Sequence, residues 1–281
     1  MKQQWILIGS GIIVTLSLYF FGRTVETNKK VEIPVAAKRP VFSVTTYIDS
    51  VTKNFPPYRQ IYLASLETKV KRGDIHTQKI EAYEELASFW RDSVKLFEPY
   101  GYYLAESAKL DNSEKKLTFA AQLFLANLRG EQDEQKLDWE SGQAIALFQR
   151  AISLDPVNDD LKIGLGSCYV FGKGRTGGPQ ETMKGIQTLL TVVEKDSTNM
   201  KAQLVLGVGG MISGQYDKAV SRLLKVVKAE PRNLEAVAFL ADTYAAKGDN
   251  SNAIKWYEVS KRLANNPQYD KEANMRIQSL K

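Results

Sequence analysis

The sequence predicts an all-α protein, a right-handed α-solenoid of stacked helical hairpins preceded by one N-terminal transmembrane helix. Three observations support this prediction. An uncharged apolar run lies near the N-terminus, a 34-residue period relates two long segments of the C-terminal half, and glycines recur where that period needs turns. A glycine-rich stretch at 164–178 interrupts the period and needs its own explanation.

Composition excludes several classes of chemistry. The 281 residues are 43% hydrophobic and 25% charged, which is typical of a globular protein. The single cysteine, Cys168, excludes an internal disulfide and a cysteine-cluster metal site. The single histidine, His76, removes the usual base of a Ser-His-Asp triad and most zinc sites. Enzymes that use only carboxylates or lysine remain possible on composition alone. We nevertheless predict no catalytic residue, no bound metal and no cofactor.

The positive charge is concentrated at one end of the chain. The formal net charge is +6, and residues 1–39 contribute six basic and two acidic side chains, or +4. The remaining 242 residues carry only +2. A basic excess beside an apolar N-terminus favours contact with a membrane surface and argues against nucleic acid as a partner.

The apolar run predicts a membrane anchor over residues 1–23. Trp5 to Phe21 is 17 residues without a charge, and as a helix it would span about 25 Å, near the lower limit for a bilayer. Trp5 and Tyr19 suit the two membrane interfaces. A cleaved signal peptide is the alternative, but the following GRTVETNKK lacks the small residues of a cleavage site.

Flanking charge predicts the orientation of this span, residues 5–21. Only Lys2 precedes it, whereas five basic residues follow: Arg23, Lys29, Lys30, Lys38 and Arg39. The positive-inside rule then places a single-pass protein in a bacterial-type inner (cytoplasmic) membrane with its soluble domain in the cytoplasm. The periplasmic orientation stays open, because N-terminal anchors often adopt it. Residues 24–42 are predicted to form an extended linker.

The 34-residue period becomes visible when residues 200–233 are aligned with 234–267. Five positions of the first segment recur in the second, in the order Leu206, Gly207, Gly214, Ala219, Leu223 and then Leu240, Ala241, Gly248, Ala253, Tyr257. Small residues at these places let two helices approach closely, large ones fill the space between hairpins, and the glycines permit tight turns.

This pattern resembles the tetratricopeptide repeat (TPR), in which each copy is a helical hairpin that stacks on the next. Weaker copies are identified at 157–199, 113–156 and 79–112, and Asn158, Asn199 and Asn233 are placed to cap first helices. The acidic stretch EQDEQKLD is expected to lengthen the turn of the copy at 113–156. The solenoid is predicted over 79–281, with a polar capping helix at 268–281, behind an N-terminal helical segment at 43–78.

The resemblance implies that a protein or peptide partner binds the concave face built from the first helices. The positions facing it by register are Asp160, Ile163, Ser167, Val170, Lys201, Leu204, Val208, Met211, Glu235, Ala238, Asp242 and Ala245. One family variant grips a C-terminal carboxylate with asparagines, but the corresponding places here hold Ser167, Val208 and Asp242. The mixed apolar and acidic lining favours a hydrophobic or slightly basic ligand.

The glycine-rich stretch does not satisfy a phosphate-binding motif. Gly172-Lys173 is followed by Gly174 where a P-loop needs Ser or Thr, and the preceding segment has a helical pattern. Gly166 lies 41 residues before its equivalent Gly207, so seven extra residues lie in this copy. We expect FGKGRTGG to be an enlarged, flexible turn, whose Lys173 and Arg175 are candidates for contact with an anion or a partner.

Together these features predict a membrane-anchored TPR scaffold that mediates protein–protein interaction or complex assembly and is not an enzyme. The alternative is an envelope-side (periplasmic) assembly or chaperone factor for secreted or cytochrome-type clients, which requires the opposite membrane orientation. A nucleotide-using enzyme built around 164–178 is disfavoured by the missing Ser or Thr. The sequence leaves the identity of the partner, the pathway and the oligomeric state open.

Overall fold

The computed structural model describes residues 41–72 and 75–281, and every regular element in these ranges is a helix. In chain order the α-helices are α1 Val44–Thr52, α2 Pro57–Arg72, α3 His76–Ser88, α4 Phe97–Asp111, α5 Glu114–Leu128, α6 Glu134–Leu154, α7 Asp159–Cys168, α8 Gly174–Gly177, α9 Pro179–Lys195, α10 Met200–Ile212, α11 Tyr216–Ala229, α12 Leu234–Lys247, α13 Asn250–Ala264 and α14 Pro267–Ser279. Two π-helical turns, Phe89–Val94 and Tyr169–Lys173, continue α3 and α7.

The helices pair as successive hairpins. The pairs are α3 with α4, α5 with α6, α7 with α9, α10 with α11, and α12 with α13, and each hairpin packs on the one that follows. Helix α2 packs on α3 at one end of the stack, and α14 packs on α13 at the other. This is the all-α helical-repeat architecture that the 34-residue period predicts.

Glycine at the small positions of the period brings paired helices into contact. A methyl group built on Gly207 of α10 would lie 2.7 Å from Cγ of Leu223 in α11. In the preceding hairpin, a methyl group on Gly166 would lie 2.5 Å from Cγ of Leu189. Leu223 also belongs to a buried cluster with Leu240 of the next hairpin. The large positions therefore fill the space between repeats, as expected.

The predicted helix starts and turns are present. The side chains of Asn158, Asn199 and Asn233 each accept a hydrogen bond from a backbone N–H in the first turn of α7, α10 and α12. Gly214 and Gly248 have φ of 76° and 83°, which a side chain would strain. These local signals mark the boundaries of the C-terminal repeats.

The N-terminal helices enclose a separate aromatic core. Trp90 and Phe89 are buried with Leu63 and Leu66 of α2, and Tyr103 of α4 joins the same cluster. The aromatic segment FEPYGYYL, which begins α4, packs on this core through Tyr100, Tyr102 and Tyr103. Residues 41–281 form a compact unit of their own, and their core clusters are built within that range. We therefore expect this unit to fold without residues 1–40.

The acidic stretch of the copy at 113–156 does not lengthen its turn as expected. Helix α6 already begins at Glu134, so EQKLD is helical and only residues 129–133 connect α5 to α6. Asp133 supplies the reason, because its carboxylate accepts hydrogen bonds from the backbone N–H groups of Gln135 and Lys136. An acidic N-cap starts the helix at that point.

The expectation of a flexible turn at FGKGRTGG is also wrong. Helix α7 continues without a break through the π-helical turn Tyr169–Lys173 into α8, and the chain turns only at Gly178. We call Tyr169–Gly177 the helical extension. Its glycines permit close packing, since a methyl group on Gly172 would lie 2.2 Å from Oγ of Ser141 in α6. The seven extra residues thus add helix that packs on the preceding hairpin.

In the ranges 41–72 and 75–281, no helix combines the length and the apolar character needed to cross a membrane. The predicted span at 5–21 and most of the predicted linker lie outside the described residues.

Candidate functional site

The central part of the predicted concave face is already occupied by the protein's own side chains. Four predicted groove residues lie in the repeat at 157–199. Of these four, Ile163, Ser167 and Val170 are buried and Asp160 is exposed. The hydroxyl of Ser167 donates to the backbone carbonyl of Ile163 at 2.8 Å and is thereby satisfied within the helix. These three positions therefore present no binding surface.

The next repeat shows the same burial. Leu204 and Val208 of α10 are buried, and Met211 is half-buried against the central hydrophobic cluster. Lys201 is exposed and pairs with Asp160 at 3.3 Å across the two first helices. Both of these charged side chains are largely in water, so the pair contributes little to stability.

The helical extension explains this burial. Phe171, which the extension carries, is only 7% exposed and belongs to the same cluster as Ile163 and Val208. Its ring centroid lies 6.3 Å from that of Phe239 in α12, two hairpins further along the chain. The alignment of the repeats predicts a turn at the helical extension. In the structure this segment is helical, and its Phe171 fills the middle of the concave face.

A charged residue from an earlier hairpin closes the same region. Arg129, at the end of α5, has its guanidinium 4.5 Å from the centre of the Phe171 ring. Its Nη1 donates to Oε1 of Glu235 in α12 at 2.5 Å, a contact between residues 106 positions apart. We call Arg129, Phe171, Glu235 and Phe239 the concave bridge, because they connect the second hairpin to the fifth.

The two basic residues of the extension are engaged within the molecule. Lys173 Nζ donates to Oδ1 of Asp138 at 2.5 Å. Arg175 donates to the backbone carbonyls of Leu128 and Glu131 at 2.9 and 3.0 Å. They hold the extension against the junction of α5 and α6, so FGKGRTGG does not form the enlarged turn that was expected.

Beyond the bridge, the concave face opens into a cleft of about 510 Å³ between α12, α13 and α14. We call it the C-terminal cleft. It is lined by Arg129, Leu234, Glu235, Ala238, Phe239, Asp242, Tyr257, Tyr269, Glu272, Ala273 and Arg276. Three of the predicted groove residues, Glu235, Ala238 and Asp242, are among them. Ala245 packs instead against the last hydrophobic cluster.

The cleft walls are related by the sequence period. Tyr269, Glu272 and Arg276 of α14 lie 34 residues after Glu235, Ala238 and Asp242 of α12. Helix α14 therefore takes the place of the first helix of one more repeat, although its polar sequence was expected to form only a cap. The C-terminal cleft is the groove between two successive first helices.

A hydrogen-bonded ion network fixes the floor of the cleft. Arg276 donates from Nη1 to Oδ1 of Asp242 at 2.6 Å and from Nη2 to Oε1 of Glu272 at 3.0 Å. Tyr257 Oη donates to the same Asp242 oxygen at 2.6 Å. Burial, followed by this hydrogen bond, raises the pKa of Tyr257 to about 12. Burial opposes the charged form of Arg276, but the adjacent Asp242 carboxylate outweighs it and raises the pKa.

The charge of the cleft argues against an anionic ligand. Three carboxylates, from Glu235, Asp242 and Glu272, face two guanidinium groups, so the net charge is −1. Both guanidinium groups already bind carboxylates. Leu234, Phe239 and the two tyrosine rings supply apolar walls. The arrangement suits an apolar side chain with a neighbouring basic group.

Sequence reasoning missed eight of the eleven residues that line the cleft, among them Arg129, Tyr257, Tyr269 and Arg276. Extending the 34-residue period by one more copy would have found Tyr269 and Arg276. Tyr257 was assigned only a packing role between hairpins. Nothing in the local sequence indicates Arg129, because its place in the cleft depends on the curvature of the stack.

The described residues also bear on metal binding and on a phosphate-binding loop. Within residues 41–72 and 75–281, no group of three or more His, Cys, Asp or Glu side chains could hold a metal ion. The glycine-rich stretch does not form a loop between a strand and a helix, since residues 159–177 are helical.

Comparison with known proteins agrees with this architecture. The family model of the tetratricopeptide repeat matches residues 211–271, from the end of α10 to the first turns of α14. A search of curated proteins finds no match. A thermophilic TPR protein of Thermus thermophilus is 16% identical, with a TM-score of 0.51, and the match covers 72% of this chain and 98% of that one.

Two other solved structures are similar at lower scores. YrrB, a TPR protein with an unusual peptide-binding site, is 18% identical over 72% of this chain and 99% of its own, with a TM-score of 0.45. MamA from Desulfovibrio magneticus RS-1 is 18% identical over 66% and 95%, with a TM-score of 0.47. The match to the Thermus thermophilus protein shows that the described residues have the TPR helical-repeat fold. TPR proteins are scaffolds that bind protein or peptide partners and are typically non-enzymatic.

Proposed function

We propose that this protein is a membrane-anchored scaffold whose C-terminal cleft binds an apolar, slightly basic segment of a partner protein. Residues 5–21 form the anchor in the inner (cytoplasmic) membrane, and the helical repeats recruit the partner to its cytoplasmic side. The support for the anchor is the uncharged apolar run and the charge that follows it.

One observation carries the assignment of the binding site. The concave face is filled between α7 and α10 but open between α12 and α14, where a volume of about 510 Å³ is lined by equivalent positions of two first helices. A cleft of this size accommodates a few side chains of a peptide or one face of a helix. The proposal therefore restricts the partner to the C-terminal third of the molecule.

Site-specific cross-linking in native membranes tests this assignment. A photoreactive phenylalanine analogue replaces Tyr269, which lines the cleft, or Tyr216, which is also half-buried in the first turn of its helix but is not among the cleft residues. We expect a discrete cross-linked partner from position 269 and none from position 216. Equal yields from both positions, or no product from either, would contradict the proposed site.

The membrane orientation is tested independently with reporters fused after Lys281. A fluorescent protein active in the cytoplasm and a phosphatase active in the periplasm report opposite topologies. Cytoplasmic activity supports the proposed scaffold. Periplasmic activity would favour the envelope-side assembly factor, with the same cleft acting on secreted clients.

A further inference from the structure

Helix α2 carries an apolar face that is largely exposed to solvent. Its Leu63 and Leu66 are buried in the N-terminal core. Beside these leucines on the helix surface, Tyr58, Ile61 and Tyr62 are 68%, 71% and 53% exposed. They lie at spacings of three and four residues, so they form one continuous surface.

This face differs from the other exposed apolar residues. Phe119, Leu154 and Met275 are also exposed, but each lies on a different helix. Single exposed apolar residues are common in soluble proteins, whereas grouped ones mark interaction surfaces. Tyr62 keeps one edge against Phe89, with ring centroids 5.7 Å apart, which holds the face in place.

The last turn of α2 is basic and exposed. By helical spacing, Lys69 and Arg72 extend the same face, whereas Lys71 lies on another side of the helix. With Arg59 and one acidic residue, Glu67, the helix carries a net charge of +3. Glu81 and Glu85 of α3 border the face. Lys69 Nζ pairs with the Glu85 carboxylate at 2.5 Å.

We propose that this face of α2 lies on the surface of an anionic lipid bilayer. Tyrosine and isoleucine beside lysine and arginine are the composition of helices that lie in the membrane interface. The basic turn complements anionic headgroups. Two copies of the chain pairing through this face would instead bring helices of the same charge together, which opposes self-association.

The chain upstream of the helix supports a lipid surface as the occupant. Nineteen residues separate Phe21 from Val41, and even fully extended they reach no further than about 65 Å. This step rests on the proposed anchor at 5–21, which would hold α2 near the bilayer. The contact would limit the orientations in which the C-terminal cleft is presented to a partner.

Vesicle sedimentation with residues 41–281, which form their own compact unit, tests the contact without the anchor. The vesicles contain phosphatidylcholine alone or with about 30% phosphatidylglycerol. We expect binding to the anionic vesicles only. The triple variant Tyr58→Ser, Ile61→Ser, Tyr62→Ser should lower the partition coefficient about tenfold or more, and Lys69→Gln with Arg72→Gln should also weaken it.

The matched control removes three exposed apolar residues elsewhere, by Phe119→Ser, Leu154→Ser and Met275→Ser, and should bind like the unmodified chain. Equal loss in both triple variants, no binding at all, or self-association through α2 without lipid would overturn the inference. Alkaline extraction of the full chain from membranes tests the anchor at 5–21 separately. Release of the full chain together with retained vesicle binding by residues 41–281 would refute the anchor and leave the α2 contact standing.

Discussion

The middle of the concave face and the C-terminal cleft are built from equivalent positions of successive repeats. The middle is filled by side chains, whereas the cleft is open. Val208 of α10 is buried, whereas Asp242, 34 residues later, lines the cleft. The difference comes from the helical extension, whose Phe171 occupies the middle. An insertion in one repeat can thus decide which of its neighbours remains available to a partner.

The strongest test of this comparison removes the side chain that fills the middle. Phe171→Ala should lower the free energy of unfolding by about 4 kcal/mol, because it deletes a buried ring and leaves a cavity. Chemical denaturation measures this loss, and Phe171→Leu, which keeps most of the volume, should cost much less. A loss below about 1 kcal/mol for the alanine variant would show that the ring does not fill the face.

The second test is the pH dependence of stability in the hairpin of α5 and α6, on which the helical extension packs. Glu140 of α6 is fully buried and accepts hydrogen bonds from Nδ2 of Asn127 at 2.9 and 3.0 Å. Burial, the largest effect, raises its pKa from 4.5 to about 7, although the Asn127 hydrogen bond opposes the rise. The folded protein therefore holds a proton that the unfolded chain releases between those two values.

Stability should accordingly fall as pH rises from about 4.5 to 7. At about 1.4 kcal/mol for each pH unit, the contribution of Glu140 is on the order of 3 kcal/mol. Glu140→Gln should remove this part of the dependence when denaturation is compared at low and neutral pH. Glu194→Gln, at an exposed position of α9, is the control and should leave the profile unchanged. Parallel profiles for Glu140→Gln and the parent would contradict the assignment.

A third, smaller effect is expected where the extension meets α6. Gly172→Ala places a methyl group 2.2 Å from Oγ of Ser141, which is itself bonded to the backbone of Leu137. We expect a loss of about 2 kcal/mol from overpacking. Gly142→Ala is the control in α6, because nothing lies within 4 Å of the added methyl group, and it should stabilise by up to about 1 kcal/mol. Equal effects from the two changes would argue against tight packing of the extension.

The smallest stability effect is expected in the open region. Asp242→Asn weakens the contacts with Arg276 and Tyr257, but the pair is partly in water, so the loss should be about 1 kcal/mol. Asp160→Asn, which affects the more exposed pair with Lys201, should cost nothing measurable. The functional effect should be larger, since neutralising Asp242 frees Arg276 and should lower the cross-linking yield from position 269. An unchanged yield would place the partner elsewhere.

Local signals in the sequence predicted much of the fold correctly. Asparagine caps, turn glycines and the alternation of small and large residues depend on contacts within one or two helices. They can therefore be identified from short stretches, as Asn199, Gly214 and the pair Gly207 and Leu223 illustrate. The helical extension was not predicted because several closely spaced glycines usually indicate a loop, and only contact with Ser141 and Asp138 explains a helix there.

Only part of the binding face was predicted, because the repeat register describes each repeat separately from the rest of the chain. Register identifies which residues face the concave side, and it placed Glu235, Ala238 and Asp242 correctly at the C-terminal cleft. It does not show whether another part of the chain covers that side. Ile163 and Val208 are buried in one cluster with Phe171 of the insertion, and Arg129 from an earlier hairpin lies over the Phe171 ring.

The sequence by itself determined the helical class, the repeat length and the helix boundaries of the C-terminal repeats, because hydrogen bonding and close packing between neighbouring helices set them locally. Tertiary structure alone decided that the insertion is helical and that Arg129 reaches Glu235 across the stack. Those outcomes depend on the curvature of the repeats, which brings together side chains as many as 106 positions apart.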